Sequence, residues 1–327
     1  MPLLKVDSLT VEYRTRRGNV RAVDNVSFAL EKGETLGVVG ESGSGKSTLG
    51  LSTIRLVPYP GVIVAGRIAI DGMDILGLPE KEMRSIRGKK VAYVFQDPMT
   101  SLNPVKKVGA HFVELVRTHD PKLSEEEALE LAKRALSDVG ISAERVNDYP
   151  HEFSGGMRQR IMIALAIGLN PDLVIADEPT TALDVIVQAK ILDLLGNLRD
   201  KFGMALVLVT HDLSIVLERC DRVMVMYAGN MVEYAGAFEL HRNPVHPYTQ
   251  GLLQSIPNVE LDEQTLKAIG GSPPNLLNLP SGCPFWPRCF CAQERCRRDQ
   301  PSLVEVAKGH FVRCFKEAYS AGHNRKS

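Results

Sequence analysis

The 327-residue chain has no excess of either charge: 39 Lys and Arg residues balance 39 Asp and Glu residues. No global field therefore draws it to nucleic acid or to an acidic surface. Long hydrophobic runs are missing too. The longest covers only residues 161–169, whereas a bilayer-spanning helix needs about 20 apolar residues. The N-terminus carries Pro2, Lys5 and Asp7 and lacks an apolar signal segment. A cytosolic chain is expected, with any membrane role reached through a partner. Cysteine is scarce before the tail, where Cys220 stands alone after the helical-looking run Leu213–Arg219 and reads as core.

What is present is an ordinary globular composition, 44% apolar and 24% charged, over a length that favours two domains. Its most informative stretch is GESGSGKST at residues 40–48, directly after the apolar run Thr35-Leu-Gly-Val-Val39. It matches G-x-x-x-x-G-K-[ST], in which small residues let backbone N–H groups curl around phosphates. Gly40, Ser42, Gly43, Ser44, Gly45 and Thr48 would form the cradle. Lys46 would reach the β/γ-phosphates, and the Ser47 hydroxyl would ligate Mg²⁺. A nucleoside triphosphate is the expected ligand.

Three further polar groups follow apolar runs: Gln96 after Val91-Ala-Tyr-Val-Phe95, Asp177-Glu178 after Leu173-Val-Ile-Ala176, and His211 after Ala205-Leu-Val-Leu-Val-Thr210. Continuous Val/Leu/Ile runs with helices between them read as buried parallel strands, and ligands bind at the carboxyl ends of such strands. Asp177 can hold Mg²⁺, and Glu178 can orient and polarise an attacking water. Elsewhere, Leu9-Thr-Val-Glu-Tyr13, the turn Arg17-Gly18-Asn19 and Val26-Ser-Phe-Ala-Leu30 suggest an antiparallel layer. Arg67-Ile-Ala-Ile70 running into Asp71-Gly72 reads as a strand and turn. Ser124 with Glu127 opens a helix as a capping box, within helix-rich sequence from about 97 to 170.

In Phe153-Ser-Gly-Gly-Met-Arg-Gln-Arg160, Ser154 is a good N-cap and Gly155 and Gly156 leave a helix start open to an anion. From the residues alone, an ordinary capped helix serves equally well. Ser154-Gly-Gly156, with 20 residues between it and Asp177-Glu-Pro-Thr180, resembles the signature of ATP-binding-cassette ATPases. The rest of that pattern is present: phosphate loop, Gln96 in the Gln-loop (also a Mg²⁺ ligand), Asp177-Glu178, Ala182-Leu183-Asp184 in the D-loop, and His211 as the switch histidine. By this resemblance Tyr13 stacks on adenine, Ser154-Gly155-Gly156 face the γ-phosphate bound by a partner subunit, and Asp184 of the D-loop is a further nucleotide-binding residue. Met157-Arg158 departs from the Gln that many cassettes carry. The resemblance implies an α/β fold: an ABC-type nucleotide-binding domain over 1–240, with a RecA-like parallel sheet core, an antiparallel β layer and a helical subdomain at about 97–155.

Longer matches resemble one branch, the oligopeptide/dipeptide importer ATPases. They are Val39-Gly-Glu-Ser-Gly-Ser-Gly-Lys-Ser47, Phe95-Gln-Asp-Pro-Met-Thr-Ser-Leu-Asn-Pro104, Glu178-Pro-Thr-Thr-Ala-Leu-Asp-Val185 and Asn243-Pro-Val-His-Pro-Tyr-Thr249. The segment 241–327 reads as a small, loop-rich, Cys-containing appendage, with a turn-rich start, prolines at 273, 274, 280, 284, 287 and 301, and a frayed end after Gly322. Its cysteine spacing fits neither a ferredoxin run nor paired C-x₂-C zinc ligands. The resemblance points to Cys283, Cys289, Cys296 and Cys314 as [4Fe-4S] ligands, with Cys291 extra. Zn²⁺, with His310 as a further candidate ligand, and an unmetallated role remain alternatives.

The resemblance implies an ATP-hydrolysing, energy-coupling subunit of a binding-protein-dependent importer, with peptides as the expected solute and oligosaccharides or nickel as alternatives. Its partners would be a second ABC ATPase (a paralogue, or a second copy), two membrane permeases and, indirectly, an extracytoplasmic solute-binding protein. Its place would be peripheral, on the cytoplasmic face of the membrane. A soluble cassette ATPase of DNA repair or translation is the competing class. Such proteins usually carry coiled-coil insertions or a second cassette, and neither occurs in this sequence.

Overall fold

A computed structural model describes residues 1–97, 101–181, 183–256 and 269–316. The expectations placed on Pro98–Thr100, on Ala182 and on the end of the chain lie outside these residues. Two compact units emerge. The first comprises Met1–Lys5, Ala29–Glu34 and Ile68–Val209; the second comprises Val6–Phe28, Thr35–Arg67 and the chain from Thr210 onward.

The strands are β1 (Leu4–Thr15), β2 (Gly18–Leu30), β3 (Thr35–Val39), β4 (Gly61–Ile70), β5 (Met73–Asp74), β6 (Val91–Val94), β7 (Leu173–Asp177), β8 (Ala205–Thr210), β9 (Arg222–Tyr227), β10 (Asn230–Gly236), β11 (Val304–Ala307) and β12 (His310–Val312). In the first unit β7 is the middle of a parallel trio. Val91 pairs with Leu173 on one side, and Asp177 pairs with Val209 on the other. Every residue of β7 and β8 is buried. That explains their unbroken apolar sequence, since a parallel strand covered on both faces has no solvent side to keep polar. Burying each such Leu, Ile or Val contributes about 1.5–3 kcal/mol relative to exposure.

Helices flank this trio. Ser124 opens Glu125–Asp138 with the expected capping box, its hydroxyl accepting from Glu127 N–H while the Glu127 carboxylate accepts from Ser124 N–H. The helix packs between Val108–His119 and Gly155–Ile167, so the expected helix-rich stretch is borne out over its described residues from 101 on. Asp184 caps Val185–Phe202, which stops at Gly203 in the left-handed region.

In the second unit β3 runs parallel to β9, and β9 turns back through Ala228-Gly229 into antiparallel β10. The sheet then continues into the tail: β10 pairs with β12 and β12 with β11. The tail's sequence suggests a loop-rich segment, and the strands are a departure from it. At four and three residues, β11 and β12 are too short for a periodic signal, although Val304-Glu305-Val306 alternates. The sequence of residues 243–249 suggests turns. There, His246 Nδ1 accepts from Tyr248 N–H, and Pro247 opens the helix Pro247–Gln254, where a missing N–H costs nothing. Cys220, 8% exposed, is core as expected.

Candidate active site

The end of β7 gathers the carboxylates of the first unit. Asp177 is 5% exposed and accepts a 2.7 Å hydrogen bond from the Tyr93 hydroxyl on the neighbouring strand β6. Burial, reinforced by the Asp177 charge, holds that hydroxyl well above the ordinary phenol range, so it stays a donor. The next residue, Glu178, has φ 44°, in the left-handed region where a Cβ is crowded. Its N–H donates to Val209 O at 2.8 Å, which locks the turn. Its Oε2 accepts from Gln96 Nε2 at 3.0 Å and from the Thr181 hydroxyl at 2.9 Å. The bend thus swings two successive carboxylates away from strand alternation, one buried and one at the surface of the strand end. Strain at a non-glycine residue of this kind persists only where its surroundings enforce it.

The signature residues belong to the same unit. Ser154 caps Gly155–Ile167, its hydroxyl accepting from Met157 N–H at 3.4 Å, and Ser154 and Gly155 are exposed. A Cβ on Gly156 would come within 2.7 Å of Val187 Cγ1, so the helix start can approach the D-loop helix only without a side chain there. At that helix's own start, Asp184 Oδ1 accepts from Val187 N–H at 2.9 Å.

The phosphate loop lies in the second unit, between β3 and the helix Lys46–Ser52. Gly45 has φ 103°, and a Cβ there would sit 2.0 Å from Ala22 O, so glycine is required on both counts. Lys46 is 4% exposed. Its Nζ donates to Gly40 O at 2.7 Å and to Glu41 O at 3.0 Å, which places the cation inside the curl of the loop. The Ser44 hydroxyl is buried with no protein partner. An orphaned donor of this kind inside a curl of backbone N–H groups fits a phosphate oxygen. Beside the loop, Glu41, Ser42, Gly43 and Ser44 share a cavity of about 270 Å³ with residues 273–277 of the tail. Tyr13 lies within hydrogen-bond reach of Thr48, hydroxyl to hydroxyl at 3.2 Å. His211 is exposed, directly after β8, and the adjacent Asp212 caps Leu213–Arg219.

Five tail cysteines, including the supernumerary Cys291, line a single cavity of about 20 Å³ with Phe285 and Trp286. Cys289 and Cys291 are the near pair, sulfur to sulfur at 3.7 Å. Burial, helped by neighbouring thiols, pushes Cys289 up to about 12 and Cys314 up to about 11. Among the described residues no group of three or more Cys, His, Asp or Glu side chains already stands as a metal cage. In kind, the thiols fit a thiophilic centre whose positive charge would offset their ionisation. His310 does not line this cavity. Its Nε2 lies 2.8 Å from Glu233 Oε1, with both side chains buried, so its expected place as a further ligand is corrected. Glu233 also accepts from the Val245 and His246 N–H groups.

Tyr93, Thr181, Glu233 and Arg288 escaped the sequence reading. Tyr93 sits within an apolar run and Thr181 within a turn, so neither carries a local signal. Arg288 pairs with Glu41 across 247 positions.

The family model described as ABC transporter matches residues 23–181. A second, described as Oligopeptide/dipeptide transporter, C-terminal region, matches residues 232–296. The chain is 48% identical to the oligopeptide transport ATP-binding protein OppD of Escherichia coli (strain K12), over 96% of this chain and 93% of that one. It is 44% identical to the dipeptide transport ATP-binding protein DppD of the same strain, over 98% and 99%. Among solved structures, a dimeric ATP-binding cassette in a post-hydrolysis state bound to ADP and phosphate superposes with a TM-score of 0.64. That match has 28% identity and covers 72% of this chain and 98% of the cassette. No helix among the described residues is long and apolar enough to cross a membrane. With the phosphate loop, the paired carboxylates and both family regions on one polypeptide, the chain belongs to the ABC transporter ATPases, in the branch of oligopeptide and dipeptide transport ATP-binding proteins.

Proposed function

We propose that the chain is the ATP-hydrolysing, energy-coupling subunit of a binding-protein-dependent importer of di- and oligopeptides. The observation that carries this reading is the β7 terminus, where Glu178 is held by Gln96 and Thr181 beside the buried Asp177. Full-length similarity to OppD and DppD supports the peptide solute.

In this reading Gly40, Ser42, Gly43, Ser44, Gly45 and Thr48 cradle the phosphates and Lys46 offsets their charge. Tyr13 provides a face for adenine. Ser47, Gln96 and Asp177 would hold Mg²⁺, whose charge neutralises the β/γ-phosphate oxygens. Glu178 accepts a proton from the attacking water, and Gln96 and Thr181 keep its carboxylate aimed. His211 stabilises charge developing on the γ-phosphate. Ser154, Gly155, Gly156 and Asp184 serve the nucleotide of the opposing ATPase, because the exposed helix start of the signature offers N–H groups outward.

The ATPase partner is a paralogue or a second copy, and both sit beneath two permeases on the cytoplasmic face of the membrane, fed by a solute-binding protein. Residues 1–240 form the nucleotide-binding domain and 241–327 the appendage. Cys283, Cys289, Cys296 and Cys314 would hold a [4Fe-4S] cluster with a structural role, since so small and proline-rich a segment has little core of its own.

Reconstitution of the chain with its co-purified membrane partners and binding protein tests the function. Stimulation of phosphate release by peptides is expected. Stimulation by oligosaccharides or nickel alone would replace the peptide reading, and failure to associate with any permease would favour a soluble cassette ATPase.

A further inference from the structure

Arg288, at the end of the 3₁₀ turn Trp286–Arg288 in the cysteine-rich tail, reaches into the phosphate loop. Its Nη1 lies 2.6 Å from Glu41 Oε2 and its Nη2 2.9 Å from Glu41 Oε1, a two-bonded fork. The Arg288 side chain is 5% exposed and that of Glu41 27%. The fork is itself held, with Nε donating to Gly270 O at 2.9 Å and Nη1 to the Tyr227 hydroxyl at 3.3 Å. Phe285, three positions earlier, packs edge-on against Tyr227 and Tyr248.

Glu41 is also gripped through its backbone. Its N–H donates to the Tyr248 hydroxyl at 2.9 Å, and its carbonyl accepts from Lys46 Nζ at 3.0 Å. A carboxylate one residue into a loop built for anions is a liability. Left unneutralised and partly buried, it would repel phosphate through a medium that screens poorly. A guanidinium fork removes the charge and fixes the direction of the carboxylate together.

We propose that Arg288 is a positioning residue for nucleotide binding: by neutralising and aiming Glu41, it lets the phosphate loop accept the triphosphate and places that competence under the control of the tail. The inference rests on ATP binding at residues 40–48, the reading given above.

The test uses the full chain, titrated with a labelled, non-hydrolysable ATP analogue and Mg²⁺, with KM and kcat for ATP measured on the assembled complex. Arg288→Ala should weaken binding by about tenfold or more and raise KM with a smaller change in kcat. Glu41→Gln, which leaves the Arg288 cation beside the loop with an amide oxygen in place of its carboxylate, should cost about threefold or less, because the charge left behind attracts phosphate and does not repel it. The double variant Arg288→Ala with Glu41→Gln should return to the Glu41→Gln level, and Arg288→Lys, charged but unforked, should fall between. An arginine that merely held the tail together would leave the double variant as weak as Arg288→Ala, and that result overturns the proposal. So does wild-type affinity in Arg288→Ala. Absence of binding by the wild-type chain would instead remove the nucleotide reading itself, and this inference with it.

Discussion

Gln96 Nε2 donates to Glu178 Oε2 at 3.0 Å, so a residue from the end of β6 sets the direction of a carboxylate at the end of β7. The parallel register makes this encounter possible, since Val94 pairs with Ala176 and the chains leave the sheet side by side. A side-chain amide is neutral and costs little to turn. Gln96 can thus hold the carboxylate without quenching its basicity, as a lysine would. Gln96→Ala is expected to lower ATP turnover by about tenfold while ATP affinity falls less, because positioning acts mainly on the transition state. Parallel measurement of kcat and analogue binding checks it.

Lys46 and His211 should separate by the step each serves. Lys46→Ala removes the buried cation within the loop, so nucleotide affinity and turnover should both fall, affinity by about tenfold or more. If His211 is the proposed donor at the reacting phosphate, His211→Ala should lower turnover by about 100-fold with near-normal binding. Titration with a labelled analogue distinguishes them, and equal losses of affinity would contradict the division.

The tail cysteines give a compositional prediction. Anaerobically purified protein should contain about four irons per chain, the stoichiometry of a [4Fe-4S] cluster. Ser at Cys283, Cys289, Cys296 or Cys314 should lose them, whereas Cys291→Ser should keep them. Elemental analysis showing one zinc and no iron would establish a zinc site instead. Neither metal, in a tail that stays folded, would defeat both.

Burial of His246 holds its imidazole down at about 4, against an ordinary value of 6.5. The folded chain therefore keeps it neutral where the unfolded chain already binds a proton. The stability this provides is present above about pH 6.5 and is lost as pH falls through 4. His246→Asn, which keeps an N-cap acceptor for Tyr248 N–H, should flatten the acid limb of a thermal-stability profile between those values. An unchanged acid limb would assign the loss to other groups.

Much of the nucleotide domain was legible because its signals are local. The runs at 173–176 and 205–210 became β7 and β8, and Ser124 with Glu127 became the capping box. The tail was harder to read. β12 is only three residues long; its neighbour β11 is adjacent in sequence, but the β10 strand through which both join the sheet lies 77 or more residues away. Contacts such as Arg288–Glu41 and His310–Glu233 arise from chain folding, and no periodicity announces them. At the site, the types and order of residues were readable, but the left-handed turn at Glu178 was not. A Glu-Pro dipeptide gives no hint that φ there is 44°.

Phosphate release by the reconstituted complex, with peptide-loaded binding protein, tests the central claim most directly when wild type is set beside Glu178→Gln. The substitution keeps the shape and the hydrogen bonds to Gln96 and Thr181 within reach, but removes the proton acceptor. Near-normal ATP binding is expected, with peptide-stimulated turnover in the wild type and a loss of at least about 100-fold in the variant, in line with the general-base assignment of Glu178. Turnover by Glu178→Gln at the wild-type rate would contradict it.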